Sequence, residues 1–177
     1  MSDDLMRMIE DTGGFFRPNR YRVDIDLPDE LREEYQEHVN TIGLTCNATA
    51  LPGIFLDTKE IDTGNSWFRP HTSNMQNTDF RFYVGRNLIV RDMFLKWQQL
   101  AVHHDSKLLG YEDDFVGQFR IYPMGRGEGG LEANMLQELI LVKSYPENVG
   151  QITLGYEEGN QVAMLNVSVK YTTFSPK

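Results

Sequence analysis

Histidines, cysteines and clustered carboxylates hold metals, activate nucleophiles and move protons, so their spacing is the first test for chemistry. His103-His104-Asp105 is the one cluster of ligand types in the chain. Adjacent side chains diverge on any regular element, so the trio reads as the solvated end of a helix, where the C-terminal dipole favours histidine. Cys46 is the single cysteine. It excludes an intramolecular disulfide and a multi-cysteine zinc site, and with no histidine near it in sequence it reads as an inert, buried thiol. The paired carboxylates Asp113-Asp114 and Glu157-Glu158 fall in loops and turns. Residues 125–130 (GRGEGG) look like a phosphate cradle but lack its lysine, and no helix clearly starts behind them. The chain has no Gly-rich loop ending in Lys-Ser/Thr, no Gly-x-Ser-x-Gly and no His-Glu-x-x-His. No catalytic residue, cofactor or metal is expected.

With chemistry absent, surface and charge become informative. The chain has 177 residues and a net charge of −9. Residues 1–60 hold 13 acidic against 6 basic side chains, a balance of −7, and the remainder hold 13 against 11. Such a chain repels phosphates, which disfavours tight nucleic-acid binding. Apolar residues at 40% and charged residues at 24% describe a chain able to bury a core. No apolar run approaches the length of a membrane span, and the acidic N-terminus is unlike a signal peptide. The expectation is a soluble protein of a reducing compartment.

The elements follow from periodicity. Residues 3–11 space Leu5, Met8 and Ile9 as a short helix, stopped by Gly13 and Gly14. Residues 20–27 alternate as a strand with Tyr21, Val23, Ile25 and Leu27 inward and Arg20, Arg22, Asp24 and Asp26 on a wet face. A short charged helix is possible over 29–39, with strands over 41–50 and 54–61. Residues 62–77 read as a loop, yet carry Trp67 and Phe68, which must bury on the domain itself or on a partner. After a strand over 78–85, Val90, Met93, Phe94, Trp97, Leu100 and Ala101 form the clearest helical stripe, with Asn87 as its cap. A polar loop spans 103–114. Strands are expected over 115–122, 134–145, 152–156 and 161–174, with turns at 146–150 and 157–160. The pattern predicts a mainly β fold, a sandwich or barrel of antiparallel strands flanked by a helix.

Four segments, in order along the chain, resemble the tail tube proteins of contractile-tailed bacteriophages. They are residues 16–23 (FRPNRYRV), 46–53 (CNATALPG), 94–98 (FLKWQ) and 145–150 (YPENVG), the last followed by a strand, an acidic hairpin and a long final strand. The resemblance implies two antiparallel sheets in a barrel-like sandwich and a single domain over 1–177. A helical arm (1–14) and an extended loop (51–80) belong to that domain. It implies homohexameric rings whose sheets merge into an inner barrel, stacked as a tube through which double-stranded DNA passes without tight binding. Tail sheath, baseplate and tail-terminator proteins are the implied partners, with no membrane. The implied setting is the virion, after assembly in the bacterial host cytoplasm. The fold is shared by a baseplate tube initiator, a terminator and type VI secretion-like tubes or effector carriers, which stay open as alternatives. An enzyme on a β scaffold would need a pocket of perturbed titratable groups, and no candidate set exists.

Leu51, Pro52, Ile54, Phe55, Trp67 and Phe68 are the expected subunit-interface residues, being apolar in a segment otherwise rich in Gly, Asn, Ser and Thr. Asp24, Asp26, Glu157 and Glu158 are the expected lumen-facing residues, because a polyanion should slide past an acidic or neutral lining.

Overall fold

The structure is a computed structural model that describes residues 16–61, 67–125, 134–155 and 161–177. The proposed N-terminal arm and Glu157 and Glu158 lie outside the described residues. Strand β1 (Tyr21–Asp26) pairs antiparallel with β6 (Gly117–Pro123), which pairs with the first half of β7 (Leu139–Val149). Strand β9 (Thr173–Pro176) lies on the other side of that half. The second half of β7 starts another sheet, through β8 (Met164–Lys170) and β5 (Thr78–Tyr83) to β2 (Cys46–Thr49). Two antiparallel sheets therefore share one strand, and the barrel they outline is not closed. Lys143, at φ 51°, sits where β7 passes from one sheet to the other.

The two sheets face each other across a core of Phe80, Phe82, Phe94, Trp97 and Phe119, all fully buried. The Trp97 and Phe119 rings stack at 5.6 Å and the Phe80 and Phe119 rings meet at 4.9 Å. Helix α2 (Ile89–Ala101) supplies Phe94 and Trp97 from the stripe its sequence announces. The buried indole needs an acceptor, and Trp97 Nε1 donates to the Phe115 carbonyl at 2.6 Å. Gly117 makes room for the ring: a Cβ there would lie 2.5 Å from Trp97 Cζ2.

Several expected boundaries move. Helix α1 runs from Asp29 to Leu44, so the strand expected over 41–50 begins only at Cys46. The reason is burial: Leu31, Tyr35 and Ile42 continue one helical stripe into the core. Gly43 lets the helix backbone meet the edge of β1, since a Cβ there would be 2.4 Å from the Val23 carbonyl oxygen. Arg32 also donates to the Leu27 carbonyl at 3.3 Å, so α1 covers that sheet edge. The turn expected at 146–150 is instead strand: β7 runs through Pro146 to Val149 with a bulge between Pro146 and Asn148, which accommodates the missing N–H. The strand expected at 152–156 is absent from its described residues, 152–155, where Leu154 is 89% exposed. The expected final strand divides into β8 and β9, because the chain leaves β8 after Lys170 and returns to β7 beside Val142. Within the expected polar loop a short helix α3 (Glu112–Phe115) forms. Leu88 rather than Asn87 is the cap residue of α2, although Asn87 Oδ1 still accepts the Ile89 amide at 3.5 Å.

Candidate assembly interface

The loop expected over 62–77 contains β4 (Trp67–Met75), which pairs with β3 (Ile54–Ile61) as a separate two-stranded sheet. Strand-forming residues override its polar composition because every β4 residue has a partner across the ladder except at the bulge between Asp57 and Thr58. The Gln76 amide closes the base of the hairpin on the Gly53 carbonyl at 3.3 Å. Beyond that base the two strands pack chiefly on each other.

Register gives the hairpin two unlike faces. Ile54 opposes Met75, Leu56 opposes Ser73, Thr58 opposes Pro70 and Glu60 opposes Phe68, so one face is largely apolar. The other carries Phe55, then Asp57, Asn74, Lys59 and Arg69, with Asn74 Nδ2 donating to Asp57 Oδ2 at 2.8 Å. Lys59 and Arg69 are direct cross-strand neighbours of like charge, without an ion-pair partner among the described residues. Ile54, Phe55 and Leu56 are exposed, and Phe68 is 66% exposed. Leu51 is exposed and Pro52 half-buried at the approach to the hairpin. Trp67 lies in β4, and its side chain falls outside what is described. Sequence reasoning missed Leu56, Pro70 and Met75; the alternation of Ile54 with Leu56 was the available signal.

The other expected site is the wet face of β1. Val23 and Ile25 are buried, while Asp24 and Asp26 are half-buried on the opposite face. Both aspartates are ion-paired: Arg22 Nε with Asp24 at 2.8 Å, and Arg120 with Asp26. Nearby, Tyr122 donates to Glu138 Oε1 at 3.3 Å, and burial, then the negative charges of Asp24 and Glu138, push its phenol above the ordinary range. The wet face of the second sheet is milder. It presents Asp79, Arg81, Asn166 and Ser168, with Arg81 Nε donating to Asn166 Oδ1 at 3.0 Å.

No group of three or more metal-ligating side chains occurs among the described residues. His103 and His104 are exposed, and Val102 bridges to Leu109 across that turn. Burial pushes the Cys46 thiol up to about 11, which suits an unreactive group. Tyr21 donates its hydroxyl to the Cys46 carbonyl at 3.1 Å, tying β1 of one sheet to β2 of the other. Among the described residues no helix is long and apolar enough to cross a membrane.

The profile of the family described as phage tail tube protein matches residues 16–177. A tail tube protein, gp19 of Enterobacteria phage T6, is 24% identical over 175 residues, covering 94% of each chain. Two solved structures share the fold at lower identity. One is from the sheath-tube complex of PVC, an extracellular contractile injection system. It has a TM-score of 0.63 and 13% identity, covering 100% of this chain and 98% of its own. The other, the sheath/tube terminator of the same system, has a TM-score of 0.63 and 14% identity, covering 92% and 96%.

Proposed function

Since the chain belongs to the phage tail tube protein family, we propose that it forms homohexameric rings that stack into the tube of a contractile tail and conduct double-stranded DNA during ejection. The observation that carries this reading is the β3–β4 hairpin. It is ordered by its own ladder and bears a largely apolar face, on which Met75 reaches the core at the base while Ile54, Leu56 and Phe68 stay exposed among the described residues. Exposed apolar surface of this kind marks a contact with another chain. Head-to-tail contacts between copies generate rings and stacks, so the proposed contact and the proposed architecture agree.

The role is structural, not catalytic, and the whole chain acts as one tube domain with residues 1–14 as an arm. Sheath, baseplate and tail-terminator proteins are its partners, assembly occurs in the bacterial host cytoplasm, and the product resides in the virion. Leu51, Pro52, Ile54, Phe55, Trp67 and Phe68 make contacts between subunits. Asp24, Asp26, Glu157 and Glu158 face the bore. Arg22 and Arg120 balance the two aspartates, so that face offers DNA little net positive charge and little gain from counterion release.

Electron microscopy of the purified chain tests the proposal. Rings with a central pore, or tubes, are expected. A strictly monomeric species at high concentration, with no rings when sheath or baseplate proteins are added, overturns it. A terminator at the end of the tube is the second reading, because the solved terminator and the solved tube resemble this chain to the same TM-score of 0.63. Long tubes from the chain alone favour the first reading; rings that stop at one or two layers favour the second.

A further inference from the structure

The turn that follows α2 is short, ordered and apolar. Val102 bridges to Leu109, the His103 amide donates to the Leu108 carbonyl at 3.0 Å, and the chain reverses through Lys107 at φ 57°. Its base is pinned to the helix. The Gly110 amide donates to the Ala101 carbonyl at 3.0 Å, and a Cβ on Gly110 would collide with the Leu100 carbonyl oxygen. Helix α2 is itself tied to β7 there, since Gln98 Nε2 donates to the Glu147 carbonyl at 3.0 Å. On this fixed base Leu108 is exposed, and Leu109 and Tyr111 are each 81% exposed.

We infer that this turn docks a protein other than this chain, one that presents an apolar stripe bordered by lysine or arginine. Three large apolar side chains in a row on the surface, a tyrosine among them, have the composition of an interface centre. The turn is held by its own hydrogen bonds, so little ordering cost attends binding. Charge selects the partner. Asp105, Glu112, Asp113 and Asp114 surround the apolar group, against Lys107 alone within the same stretch. Glu112 is engaged by Lys143 at 2.6 Å, while Asp105, Asp113 and Asp114 make no ion pair among the described residues. Helix α2 has no basic residue in its last turn, so its negative end adds to the same field. That rim repels anionic lipid headgroups and nucleic-acid phosphates. It also disfavours a second copy, whose net charge is −9. The inference stands apart from the tube reading, because it needs only the surface of one folded subunit.

The test is fluorescence anisotropy of the full chain with a labelled peptide of leucine and lysine, about 18 residues long, its leucines spaced to form one helical stripe. A second peptide keeps the leucines and carries glutamate in place of lysine. The lysine peptide should bind and the glutamate peptide should not. Leu109→Ser and Tyr111→Ser, each melting as the wild type does, should weaken binding by about tenfold or more. Asp105→Asn with Asp113→Asn should weaken it less, by a factor that vanishes near roughly 0.5 M salt. Glu30→Gln, Glu33→Gln and Glu37→Gln together, on the exposed face of α1, should change it by less than about twofold. If this triple variant loses as much as Leu109→Ser, the attraction is diffuse and the inference is overturned. Equal binding of the two peptides, or full binding by both turn variants, overturns it as well. If Leu109→Ser abolishes rings or tubes in electron microscopy, the occupant is a second copy and the inference falls. Rings and tubes formed by both turn variants leave the tube reading intact, whatever the peptides do.

Discussion

Lys143 holds a left-handed backbone in the middle of a strand, at φ 51°. Residues with a Cβ are disfavoured there and glycine is not. Its ammonium pairs with Glu112 at 2.6 Å, but both side chains are exposed and such pairs contribute little. Lys143→Gly should therefore raise the melting temperature, by roughly 2–4 °C, in a thermal scan. Tyr35 shows the opposite case, a side chain whose surroundings oppose a change of charge. Its hydroxyl donates to Asp92 Oδ2 at 2.5 Å, and Lys96 lies 5.3 Å over its ring. Burial, then the hydrogen bond and charge of Asp92, push its phenol up to about 12. The folded state thus holds this proton more tightly than the unfolded chain, whose tyrosines titrate near 10. The associated stability is complete below pH 10 and is lost as pH rises through about 12. Tyr35→Phe should flatten the fall of melting temperature between pH 10 and pH 12. A fall as steep as that of the wild type would contradict the assignment.

Elements are fixed by contacts that are only partly local. Gly117→Ala places a Cβ 2.5 Å from both Trp97 Cζ2 and the Asp26 carbonyl oxygen. Neither neighbour can withdraw, so the variant should lose about 1–3 kcal/mol in denaturant unfolding. Trp67→Ala belongs to the hairpin and should weaken ring or tube formation more than thermal stability; equal losses would mean that the indole packs on its own domain. Strands β1 and β5 and helix α2 were legible because their apolar residues keep one period throughout. The second half of α1 was not, since Thr41, Thr45 and Cys46 look strand-like, and burial of Ile42 together with the approach of Gly43 to β1 decides for helix. Strand β7 hid behind Pro146, which reads as a stop until a bulge admits it. At the candidate interface the aromatic residues were visible by their type. The apolar face was not visible, because it is created by the register of β3 on β4, which brings Met75, Pro70 and Phe68 beside Ile54 and Leu56.

At the scale of the whole molecule, charge and shape bear on transport. A chain of net charge −9 whose β1 aspartates, Asp24 and Asp26, are paired with arginines offers a polyanion little free positive charge on that face. Assembled tubes should not retain double-stranded DNA on co-sedimentation at roughly 0.15 M salt, where a Debye length of about 8 Å still leaves cation-lined surfaces sticky. Retention there would contradict a passive conduit. The hairpin also has a bearing on geometry, because it leaves the second sheet at one end only. The subunit is thereby an arrow, with the hairpin at one end of that sheet and the Tyr83 end unlike it. In the proposed tube, arrows laid in file all point the same way, so however long the file grows its two terminal layers differ. The two ends of such a tube therefore ask for different finishing proteins, and a lone ring already knows which way is forward.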